Sequence, residues 1–89
     1  MEKKDNNEPT QGALDPKAEL KKIGERLKSI RKKAGYSSPD KFAYDHDINR
    51  SQYGKYEAGS EDLRISSLIK VIDKLGLTLP EFFNNEYGQ

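Results

Sequence analysis

The side chains with chemical reach gather in one short stretch, residues 42–59, FAYDHDINRSQYGKYEAG. Arg50, Ser51, Gln52 and Lys55 follow Asn49 within it. Guanidinium, hydroxyl, amide and ammonium groups are the donors and acceptors that read guanine and adenine edges in a DNA major groove. On a helix opening at Asn49 they take the exposed side, while Tyr53 and Tyr56, three apart, face inward. Other chemistry finds little material. There is no cysteine and one histidine, His46, which excludes disulfides, thiolate metal sites, a cysteine nucleophile and a histidine metal cluster. The acids Glu25, Asp40, Asp45 and Asp73 show no convergent spacing. No nucleophile–base pair and no phosphate-cradling loop is present, so the expectation is a binding protein, not an enzyme, without metal or cofactor.

Positioning those donors is the task of short helices. Asp15-Pro16 reads as an N-cap and first helical residue. Leu20, Ile23, Leu27, Ile30 and Ala34 then recur at helical steps up to a stop at Gly35. Ser38-Pro39 opens a second helix that buries Phe42 and Ala43, with His46 laying its ring on the core near the helix end. Asp47 and Ile48 make a turn, the first taking positive φ and the second plugging the core. Asn49 caps the third helix and Gly59 closes it. A fourth begins at Ser66 or nearby, with Ile65, Leu68, Ile69, Ile72 and Leu75 inward and Gly76 ending it. Thr78-Leu79-Pro80-Glu81 has capping-box form and starts a fifth helix holding Phe82 and Phe83. No strand pattern and no repeat occurs, so the fold class is all-α. Gly54 has two readings: a tolerated surface glycine, or a place where the backbone comes close to the groove.

The 89 residues suffice for one small domain. Residues 1–15 are too polar to offset their ordering entropy and read as a disordered tail. Residues 16–83 form the domain, and 84–89 a short polar tail. The net charge of +1 conceals an uneven distribution, with 13 basic and 8 acidic side chains between residues 20 and 77 and acidic ends on either side. A basic body suits a polyanion, although Lys21, Lys28, Lys32 and Lys33 read first as a solvated face. MEKKDNNEPTQG has no apolar stretch and does not read as a secretory signal. No apolar run spans a membrane. A cytoplasmic protein is expected.

The segments IGERLKSIRKKAGY, KFA, INRSQYGKYEAG and LRISSLIKVIDKLGLTLPEFF, in this order and spacing, resemble the Cro/C1-type helix-turn-helix family, also called XRE-like. The resemblance covers Ile23 to Phe83. It implies a compact five-helix, lambda-repressor-like domain whose recognition helix runs from about 49 to 58. It places Arg50, Ser51 and Lys55 at base-facing positions and Gln52 beside them. It also implies an ion pair between Arg31 and Glu57, and a phosphate or minor-groove contact for Arg64. Helix N-terminal amides near Ser38 and Ser66 suit phosphates, with Lys41 and Tyr44 adding to the former. Asp47 stands where the family usually has the turn glycine.

The function implied is sequence-specific double-stranded DNA binding by a bacterial transcriptional regulator. Family members usually bind as two-fold dimers on half-sites ~34 Å apart, for which Leu79, Phe82 and Phe83 offer an apolar surface. The alternative is a protein-interaction module, such as an antitoxin or mobile-element control protein, with DNA binding secondary. The modest net charge, Glu61, Asp62 and the polar ends point toward such a protein partner.

Overall fold

A computed structural model describes residues 13–60, 63–84 and 86–88. Residues 1–12 of the expected tail, and the acids Glu61 and Asp62, lie outside the described residues. The chain is all-α: α1 Pro16–Lys33, α2 Pro39–Asp45, α3 Arg50–Ala58, α4 Ile65–Lys74 and α5 Leu79–Phe82. No strand occurs among the described residues.

Local chemistry sets most helix starts. The Asp15 carboxylate accepts the Lys17 N–H ahead of Pro16. Ser38 accepts from Lys41 N–H ahead of Pro39. Thr78 and Glu81 satisfy each other's backbone N–H groups in a complete capping box. Gly35, Gly59 and Gly76 take positive φ after α1, α3 and α4.

The core joins Leu27 of α1, Phe42 and Ala43 of α2, Ile48 of the turn and Tyr53 and Tyr56 of α3. Leu68, Val71 and Ile72 of α4 and Phe82 of α5 complete it. Tyr53 and Phe82 are wholly buried. Burial raises the Tyr53 phenol well above its ordinary pKa, with Glu57 adding to the effect. Its hydroxyl donates to the Leu27 carbonyl at 3.4 Å.

Helix α4 begins at Ile65, one residue ahead of Ser66, with Arg64 as N-cap and no side-chain cap. Two expectations need correction. Ile65 and Ile69 are exposed, at 71% and 44%. The buried arc is centred on Leu68, Val71 and Ile72, with Leu75 half-buried. Ile69 sits about a quarter turn off that arc, and Ile65 lies at the helix's first residue. Phe82, expected on a pairing surface, is 0% exposed and finishes the monomer core, while Leu79 and Phe83 remain accessible.

Arg26 ties the last helix to the first. Its side chain is 7% exposed. Its Nε donates to the Phe82 carbonyl at 2.7 Å and Nη2 to the Glu81 carbonyl at 2.8 Å. Nη1 meets Glu86 at 3.2 Å. Glu86 also pairs with Lys33. The Tyr87 hydroxyl donates to Glu19 Oε1 at 2.9 Å, and its ring meets Phe83 edge-on. Burial, then that bond to Glu19, pushes the Tyr87 phenol up to about 12. The stretch expected as a polar tail thus lies against α1 where it is described.

Candidate nucleic-acid interface

The four residues 46–49 join α2 to α3 and aim the second helix. Asp47 has φ 58°, the left-handed conformation that favours glycine. Its carbonyl accepts from Lys74 Nζ at 2.5 Å, so α4 holds the turn from behind. Ile48 plugs the core. The His46 ring lies 4.3 Å from that of Phe42, with Nδ1 2.8 Å from the Phe42 carbonyl. The Asn49 side chain accepts the Gln52 N–H at 2.9 Å and caps α3.

The inward side of α3 is fully engaged. Tyr53 and Tyr56 are buried. Gly24 of α1 lies so close that a Cβ there would come within 2.3 Å of the Glu57 carbonyl oxygen. Arg31 Nε and Nη2 donate to the two Glu57 carboxylate oxygens at 2.7 and 3.1 Å, a bidentate pair. Arg31 Nη1 donates to the Tyr36 carbonyl at 3.0 Å. Glu57 raises the Arg31 pKa, partly opposed by burial.

The outward side presents Arg50, Ser51, Gln52 and Lys55, all exposed. A Cβ added to Gly54 would meet nothing within 4 Å. The Arg50 guanidinium lies 6.0 Å from the centre of the Tyr44 ring, and Lys41 Nζ lies 5.7 Å from the same ring. Lys41 also pairs with Asp45 at 3.1 Å, and the Tyr36 hydroxyl donates to Asp45 at 2.8 Å. The Tyr36 hydroxyl and then Lys41 hold the Asp45 carboxyl below its usual range.

The residues expected at phosphates fall into two groups. Ser38, Lys41 and Tyr44 lie at or on α2, with Tyr44 near Arg50 at the start of α3; Ser38 is committed to its cap and Lys41 to Asp45. Arg64 and Ser66 are exposed at the start of α4. Between α3 and α4 runs a groove of ≈ 310 Å³, bordered by Asn49, Gln52, Ser67, Lys70 and Lys74. Ser67, Lys70 and Lys74 escaped the sequence reading, because a lysine beside an apolar stripe carries no mark distinguishing it from solvated neighbours. Among the described residues no group of three His, Asp or Glu side chains could hold a metal ion. No helix there is long and apolar enough to cross a membrane.

The chain is 33% identical over 64 residues to a protein named Control protein C.MunI, from Mycoplasma sp. The match spans 72% of this chain and 86% of that relative. No family model matches the chain. No solved structure matches it.

Proposed function

The chain belongs to the family of the control protein C.MunI, and from that premise we propose that it is a DNA-binding transcriptional regulator. Helix α3 enters the major groove of double-stranded DNA. Arg50, Ser51 and Lys55 face bases, and Gln52 lies at the flank. Arg64 and Ser66 reach the sugar–phosphate ridge on the α4 side, with Ser38 and Lys41 contributing at the α2 N-terminus and Tyr44 standing beside Arg50. Two copies pair through Leu79 and Phe83.

The observation that carries this reading is the asymmetry of α3. Its inner side is locked by Tyr53, Tyr56, Gly24 and Glu57, while its outer side offers four polar side chains with nothing packed over Gly54. A rod fixed from behind and furnished with long donors in front suits groove readout. Ile48, buried in the core, holds the turn that aims the rod, and Lys74 Nζ donates to the Asp47 carbonyl beside it.

The test is selection of bound duplexes from a random pool, followed by titration at two salt concentrations. One preferred sequence with two-fold symmetry is expected, with affinity falling as salt rises. Arg50→Ala should weaken binding to the selected duplex by about 1–3 kcal/mol, the value of a bidentate base contact. Affinity indifferent to salt, or a pool that yields no preferred sequence, overturns the reading.

A further inference from the structure

We propose that Tyr44 is a positioning residue that holds the Arg50 guanidinium in its base-reading orientation before DNA arrives; this rests on the reading of α3 as the groove-entering helix. Tyr44 is a large aromatic residue that is 68% exposed and contributes nothing to the core. It stands near the end of α2, whereas Arg50 is the first residue of α3. The turn between them is fixed by Ile48 in the core and by the grip of Lys74 on Asp47. The ring and the guanidinium therefore face each other across a rigid corner, 6.0 Å apart, at the outer edge of cation–π range.

Local charge favours Arg50 as the ring's working partner. Lys41 also lies over the ring, at 5.7 Å, but its ammonium is paired with Asp45 at 3.1 Å. Asp45 is in turn held by the Tyr36 hydroxyl. Arg50 pairs with no acid among the described residues. An arginine at the first residue of a helix has four free torsions and many rotamers. Restricting them before binding removes an entropic cost that would otherwise be met on association. A planar guanidinium also lies readily on a ring without giving up its outward N–H fork.

The test uses the full chain and the duplex selected above, with Tyr44→Leu, Tyr44→Phe and Arg50→Ala variants. Tyr44→Leu should weaken binding about three- to fivefold, the scale of an exposed cation–π contact. Tyr44→Phe should bind like the parent, because the ring and not the hydroxyl acts. On the Arg50→Ala background, Tyr44→Leu should change nothing further. In the free protein, the Arg50 side-chain proton resonances should be shifted upfield by the ring and return to ordinary values in Tyr44→Leu.

Equal losses in the Phe and Leu variants would make the hydroxyl a direct phosphate contact and overturn the proposal. So would a Tyr44→Leu loss that persists without Arg50, unchanged binding in Tyr44→Leu, or the absence of the upfield shift. A parent chain with no preferred duplex sinks the DNA reading itself, and the positioning role with it. Loss of preference in Arg50→Ala with none in Tyr44→Leu sinks the positioning role alone.

Discussion

On the side of α3 that faces α1, a glycine is required because a Cβ at Gly24 would lie 2.3 Å from a backbone oxygen. On the side that faces outward, the Cβ of an alanine at Gly54 would meet nothing within 4 Å. The same contrast runs through the charges. Arg31 makes three hydrogen bonds and is 3% exposed, whereas Arg50 rests beside one exposed ring. The comparison separates residues that build the helix's seat from residues that the seat holds out. Substitutions on the first side should register in folding, and those on the second in binding.

The largest expected effect is that of Arg31→Met. It strands the Glu57 carboxylate, whose side chain is only 8% exposed, without its partner. Removing one member of such a pair costs about 3–5 kcal/mol, and urea melts should show it. Replacing both members by apolar residues of similar volume should recover much of that loss. A single variant as stable as the parent would place Arg31 and Glu57 among ordinary surface pairs.

Gly24→Ala comes next. Two main-chain carbonyl oxygens, of Tyr56 and Glu57, stand within 2.7 Å of the added carbon. Helices α1 and α3 must separate to admit it, at a cost of about 2–3 kcal/mol. Gly54→Ala should act in the opposite direction. Alanine in an open helix interior is worth about 0.5–1 kcal/mol over glycine, so the melting temperature should rise. A fall would show that the outward side of α3 is covered in the folded protein.

The smallest effect concerns the far end of α1. Lys33, and then Arg26, hold the Glu86 carboxyl below its ordinary value of 4.5. Lys22, and then the Tyr87 hydroxyl, do the same for Glu19. A folded pKa that is depressed contributes stability in full above the unfolded value and loses it as pH falls through the folded one. The gap in melting temperature between the parent and Glu86→Gln should therefore hold steady above about pH 4.5 and close below it. A gap that persists into strong acid would separate Glu86 from this linkage.

What could be read from the chain follows from how far each signal travels. Asp15-Pro16, Ser38-Pro39, Asn49 and Thr78 with Glu81 act within three residues of themselves, and their caps stand where the sequence puts them. Asp47 and Ile48 could likewise be assigned because a turn with positive φ and a plug is a local demand. The start of α4 could be placed only to within a residue, since Arg64 caps it without a side-chain bond. Ile65 and Ile69 were indistinguishable from Leu68 and Val71 by type alone. Phe82 and Phe83 are neighbours in a helix of only four residues, too short for periodicity to separate core from surface. Arg26 gave no sign of burial, because its partners are backbone carbonyls 55 and 56 residues away, which no side-chain pattern records. The outward placement of Arg50, Ser51, Gln52 and Lys55 was legible, because Tyr53 and Tyr56 fix the rotation of α3.

The grip of Arg26 on the Glu81 and Phe82 carbonyls has a consequence for assembly. It fastens the segment bearing Leu79 and Phe83 to the same helix that is seated against α3 through Gly24. Should two copies join at that end and meet DNA through α3, no hinge would intervene between the joint and the two α3 helices. Their separation would then behave like the gap of a fixed caliper, and inserting or deleting a single base pair at the centre of a binding site would be punished far more than changing that base pair's identity.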